Sequence, residues 1–125
     1  MADEITCLIA DDHEVVREGL RLALSRSPRI RVIGEAADGA SAVALTERRR
    51  PDVVIMDLRM PDMDGAALWR EVSARRPLLS RAMLFVTGDT LSPDAREFLR
   101  STRCGSLDKP FSKADLLAKV AALLE

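Results

Sequence analysis

The residues of this 125-residue chain most able to do chemistry are acids, a hydroxyl and an ammonium, each placed directly after an apolar run. Asp11 and Asp12 follow the run 5–10, and Asp57 follows Val53-Val54-Ile55-Met56. Thr87 follows Leu84-Phe85-Val86, and Lys109 comes just after a weaker run at 105–107. Three carboxylates brought together repel and raise one another's pKa unless a cation joins them. A set of oxygen donors from few protein groups suits Mg²⁺, which keeps several waters and also takes phosphate oxygens. A lysine nearby supplies a point charge for a phosphoryl oxygen, and a threonine hydroxyl supplies a neutral donor. One carboxylate of such a group can act as a nucleophile and form an aspartyl phosphate. In that transfer the protein contributes mostly positioning and charge neutralisation.

Each member has a plainer reading when taken alone. Asp12 suits the cap of a first helix, and Asp64, before Gly65, reads as the cap of a third. Thr87 alone is a strand-end hydroxyl, and Lys109 a solvated charge. His13 is the only histidine, with no cysteine or second histidine near it, and reads as an exposed helix start rather than a ligand or base. Asp57 resists such a reading, because a carboxylate ending a buried strand needs a charged or metal partner.

The elements that would gather these residues follow from the hydropathy pattern. Runs at 5–10, 30–34, 53–56 and 82–86 are short, rich in Ile, Val and Leu, and do not alternate, as strands buried on both faces read. Between them lie stripes at helical spacing: Val16, Leu20, Ala23 and Leu24; Leu68 and Val72; Leu116 and Val120. Ser92-Pro93-Asp94 and Ser112-Lys113-Ala114-Asp115 read as helix starts, the second in capping-box form. Arginines cluster before Pro28, Pro51 and Pro77, where they complement helix dipoles ahead of a residue that ends the helix. The triplet Arg48-Arg49-Arg50 takes this reading over that of a nucleic-acid patch. Strand and helix thus alternate five times, which predicts an α/β, doubly wound, flavodoxin-like (βα)5 domain. Its five-stranded parallel sheet would run in the order 2-1-3-4-5, with ligands outside the carboxyl ends of the strands.

The bulk numbers agree with a single domain over residues 1–125. There are 19 basic and 20 acidic residues, a net charge of −1 and 47% hydrophobic residues, too apolar and too balanced for a disordered chain. That balance argues against a nucleic-acid or anionic-membrane surface, and no apolar run approaches a membrane span. A cytoplasmic location is expected, with no signal pattern at the start. Cys7 falls in the first strand and Cys104 just before the fifth, which are not neighbours in this order, so both are expected as free thiols. Only three of the basic residues are lysines, and one of them is Lys109.

Ile9-Ala10-Asp11-Asp12, the stretch from Val54 to Gly65 containing Asp57-Leu58-Arg59-Met60-Pro61-Asp62-Met63-Asp64, Phe85-Val86-Thr87-Gly88 and Asp108-Lys109-Pro110-Phe111 together resemble the receiver domain of two-component response regulators. The resemblance runs over essentially the whole chain, in order. It implies that Asp57 is the phosphoacceptor, served by a histidine kinase or a histidine phosphotransfer domain. It implies Mg²⁺ held by Asp11, Asp12, Asp57 and the main-chain carbonyl of Arg59, with Lys109 and Thr87 bonding to the phosphoryl group. The segment from Thr87 to Phe111 is similar to receivers of hybrid histidine kinases, and the segment from Ala10 to Leu20 to regulators that carry a DNA-binding domain. The chain is therefore expected either to stand alone or to belong to a larger protein.

One departure bears on switching. Receivers commonly place Tyr or Phe three residues before the lysine, and here that residue is Ser106; the chain has no Tyr. A receiver-fold interaction module regulated without phosphate is the alternative this motivates. A Mg²⁺-dependent phosphohydrolase shares the chemistry, but Asp11-Asp12-His13 lacks the second acid two residues after a strand-1 nucleophile. Arg59 and Asp89 are expected to face each other and modulate the lifetime of an aspartyl phosphate.

Overall fold

The computed structural model describes residues 4–58, 60, 62–63, 65–77, 79, 82–87, 93–102, 104–108 and 111–123. The elements alternate as the hydropathy pattern requires: β1 (Ile5–Ala10), α1 (Glu14–Leu24), β2 (Ile30–Ala36), α2 (Gly39–Arg49), β3 (Val53–Asp57), α3 (Gly65–Arg75), β4 (Met83–Thr87), α4 (Pro93–Thr102), β5 (Gly105–Asp108) and α5 (Lys113–Leu123). Every strand pairing is parallel, and the sheet order is β2-β1-β3-β4-β5. Parallel neighbours need helical crossovers, which here pack α1 beside α5 and α2 beside α3.

Burial of apolar side chains on both faces of β1, β3 and β4 supplies the core, with Leu8, Ile9, Ile55, Met56, Leu84 and Phe85 essentially without solvent contact. The expectation of double-sided burial fails for β2. Only Ala36 of that strand is buried, because β2 lies at the edge of the sheet and turns its polar residues to surface ion pairs. Arg31 meets Glu4 at 3.2 Å, and Arg21 meets Glu35 at 2.7 Å.

The helix ends confirm some caps and revise others. Ser112 Oγ accepts the Asp115 backbone N–H at 3.0 Å, as the capping pattern predicts. At the start of α1 the capping position is His13, with no side-chain cap, so Asp12 does not serve there. Asp38 caps α2 by accepting from the Ser41 N–H at 2.7 Å. Arg50 ends that helix in the left-handed region, φ 49°, a place usually taken by Gly or Asn. The expected caps at Asp64 and Ser92 lie outside the described residues.

Both cysteines are buried and free, as expected, Cys7 within β1 and Cys104 just before β5. Burial, with the charge of Asp52 adding to it, pushes the Cys7 thiol up to about 12.

The third helix begins where there is no room for a side chain. The Gly65 N–H donates to the Leu58 carbonyl at 2.7 Å. A Cβ at Gly65 would stand 2.7 Å from Leu58 Cδ1, 2.9 Å from Phe85 Cε1 and 3.1 Å from the Leu58 carbonyl oxygen. Gly65→Ala should therefore cost about 1–3 kcal/mol by overpacking. Urea denaturation reads this directly, and an unchanged midpoint would contradict the packing described.

Candidate functional site

The parallel register decides which strand ends meet. Ala10 of β1 pairs with Met56 of β3, so Asp11 and Asp57 come next to one another at the carboxyl edge of the sheet. Asp11, Asp12, Asp57 and His13 each place one ligand atom so that all four atoms lie within 4.8 Å of one another. Asp11 is almost fully buried, while Asp12 and Asp57 are partly exposed.

Local hydrogen bonds fix the loop that presents the first two acids. The Asp11 N–H donates to the Ala36 carbonyl at 3.0 Å, tying the end of β1 to the end of β2. Asp11 Oδ1 accepts the His13 backbone N–H at 2.8 Å. Arg17, one turn into α1, donates from Nη1 to the Asp11 carbonyl at 2.6 Å, and its Nε lies 3.4 Å from Glu35. Backbone spacing from β2 and a guanidinium from α1 thus hold Asp11 from both sides.

His13 is an exposed helix start, as expected, at the N-cap of α1. Its side chain is 64% exposed, yet Nδ1 lies 3.1 Å from Asp11 Oδ1 and 3.1 Å from Asp12 Oδ1. The short reach from the helix start back to two consecutive acids is a loop property that residue type alone does not signal.

A second anchor lies after β3. Asp62 accepts from the Gly39 N–H at 2.8 Å and the Ala40 N–H at 3.0 Å, tying the β3–α3 connection to the first turn of α2. Those two backbone bonds hold its carboxyl below the ordinary carboxylate range. Gly39 allows the approach, since a Cβ there would lie 2.6 Å from Met63 Cβ.

Thr87 ends β4, is buried, and pairs in register with Asp108 of β5. Lys109 and Arg59, expected at the site, lie outside the described residues, as does Asp89, so the expected Arg59–Asp89 pairing does too. Ser106 pairs in register with Phe85. The aromatic side chains are found elsewhere. Phe98 of α4 stands edge-on to Phe85 at 5.4 Å and to Trp69 of α3 at 6.0 Å.

The donor set fits a hard divalent cation. Three carboxylates at this spacing, one of them removed from water, are costly unless positive charge compensates them, and oxygen donors are what Mg²⁺ takes.

Comparison with known proteins agrees with this geometry. Residues 7–121 match the family model described as the response regulator receiver domain. The chain is 36% identical over 105 residues to a protein-glutamate methylesterase/protein-glutamine glutaminase of Alkalilimnicola ehrlichii, covering 84% of this chain and 26% of that protein. It is 34% identical over 87 residues to the transcriptional regulatory protein DegU of Brevibacillus brevis, covering 70% of this chain and 37% of that protein. The chain thus spans well under half the length of these curated relatives. Among solved structures, the signal receiver domain of NarL from Mycobacterium tuberculosis superposes with a TM-score of 0.82 at 32% identity, covering 98% of this chain and 94% of that one. The response regulator domain of Thermotoga maritima CheB gives a TM-score of 0.83 at 25% identity, covering 97% of this chain and 96% of that one.

Proposed function

The chain belongs to the response regulator receiver domain family, and on that premise we propose that it takes a phosphoryl group from a phosphohistidine onto Asp57. The observation that carries this is the convergence of Asp11, Asp12 and Asp57 at one sheet edge, with ligand atoms within 4.8 Å. Asp11, Asp12 and Asp57 would hold Mg²⁺, joined by the main-chain carbonyl of Arg59. Bound there, Mg²⁺ supplies positive charge for the phosphoryl oxygens.

The protein's own part is positional. A carboxylate oxygen of Asp57 forms the new bond to phosphorus as the bond from phosphorus to the imidazole nitrogen breaks, and the imidazole leaves. The rigid β3 strand and the buried Asp11 keep the acceptor at a fixed place, so the partner supplies only the donor and its approach. Thr87, at the end of β4, supplies a hydroxyl to the transferred group, and Lys109 an ammonium. The partner is a histidine kinase or a histidine phosphotransfer domain, met in the cytoplasm. Residues 1–125 act as one receiver domain, alone or within a larger regulator or hybrid kinase. The domain is a signalling module rather than an enzyme; catalysis in a methylesterase relative belongs to other parts of that longer protein.

Ser106 favours a second reading, an interaction module regulated without phosphate. Amide NMR with beryllium fluoride and Mg²⁺ separates the two. A phosphoacceptor shifts resonances around residues 57, 87 and 106, whereas an unchanged spectrum supports the second reading against the first.

A further inference from the structure

The carboxylate site carries a fourth donor that oxygen ligation of Mg²⁺ does not call for. His13 Nδ1 lies 3.1 Å from Asp11 Oδ1 and 3.1 Å from Asp12 Oδ1. Two donors held side by side on a six-coordinate ion, at bond lengths of about 2.1 Å, stand about 3.0 Å apart. The imidazole nitrogen is therefore already spaced from both carboxylates as neighbouring ligands of one ion are.

The position is also held in place. The His13 backbone N–H is bonded to Asp11 Oδ1, and the Asp11 carbonyl is bonded to Arg17. The exposed side of the ring leaves the site open to an ion that retains water.

We propose that His13 is a ligand of this cation site and gives it a preference for first-row transition metals such as Co²⁺ and Ni²⁺. The inference rests on the reading that Asp11, Asp12 and Asp57 hold a divalent cation. Imidazole adds strongly to the affinity of Co²⁺ and Ni²⁺ and little to that of Mg²⁺, which takes oxygen. When such an ion binds, Nδ1 gives its lone pair to the metal in place of its contacts with the two carboxylates, and any proton on Nδ1 leaves to solvent.

Competing soft ligands are few. His13 is the only histidine in the chain. Cys7 and Cys104 are buried, and burial raises both thiols, so neither offers a ready thiolate.

The test uses the untagged 125-residue chain, its His13→Ala and His13→Gln variants, and calorimetric titration with Ni²⁺ and separately with Mg²⁺. Both variants are expected to bind Ni²⁺ about tenfold or more weakly than the unaltered chain, with Mg²⁺ affinity little changed. Co²⁺ gives a second readout, since its visible absorption changes when a nitrogen ligand is lost. Equal Ni²⁺ affinity and equal Co²⁺ spectra in all three proteins would overturn the proposal while Mg²⁺ binding still stood. A chain that bound no Mg²⁺ at all would instead strike the three-carboxylate reading beneath it.

Discussion

Phe85→Ala lowers the unfolding free energy by about 3–5 kcal/mol, the range for removing a buried aromatic ring and leaving a cavity. Phe85 is fully buried in β4, with the edge-on ring of Phe98 at 5.4 Å on one side. On another side its Cε1 lies 2.9 Å from where a Gly65 side chain would begin. The surroundings cannot close the gap easily, because the ring touches a strand, the start of α3 and the middle of α4 at once. Against a typical total of about 5–15 kcal/mol, this is a large fraction of the fold's stability. The loss also reaches the site, since Thr87 follows two residues later on the same strand. Denaturant unfolding gives the number, and a midpoint close to that of the unaltered chain would show that the aromatic contact is not the support described. Phe85→Leu, which keeps most of the volume, should lie between the two.

Mg²⁺ is expected to raise the stability of the unaltered chain by about 2.7 kcal/mol at a hundred times its dissociation constant. The origin is the site itself: carboxylates of Asp11, Asp12 and Asp57 repel in the folded chain and are dispersed in the unfolded one. The gain is expected as a melting temperature higher by roughly 5–20 °C, at about 2–8 °C for each kcal/mol in domains of this general size. Asp57→Asn removes one of the three charges, so this variant is at least as stable as the unaltered chain without Mg²⁺ and gains less from adding it. Potassium chloride at matched ionic strength does not reproduce the effect, because screening cannot replace an ion bound between the acids. A melting temperature indifferent to Mg²⁺, or an equal gain in Asp57→Asn, would count against cation binding by these residues.

Much of this architecture was legible in the residues because parallel strands buried on both faces leave an unusually plain mark. Unbroken Ile, Val and Leu runs located β1, β3 and β4, and the polar residue closing each run fell at the edge where ligands gather. What could not be read was set by contacts between loops. β2 carries Arg31 and Glu35 among its apolar residues, and its edge position leaves it half-exposed, a place that the sheet order makes plain. His13 is the exposed helix start its sequence suggests, but nothing in its immediate sequence shows that its imidazole also turns back onto Asp11 and Asp12. The grip of Arg17 on the Asp11 carbonyl depends on where α1 begins, and that of Asp62 on α2 depends on how two connections pass each other. In place of an aromatic at 106, Phe98 and Trp69 link α4 and α3 to β4, a connection made by helix packing rather than by strand spacing.

Phosphorylation of Asp57 is tested most directly by incubating the unaltered chain and Asp57→Asn with acetyl phosphate and Mg²⁺, then measuring intact mass. The unaltered chain should gain one phosphoryl group, fail to gain it when Mg²⁺ is chelated before labelling, and be the sole protein labelled. Equal labelling of Asp57→Asn, or no labelling of either protein, would contradict the assignment of Asp57 as the phosphoacceptor.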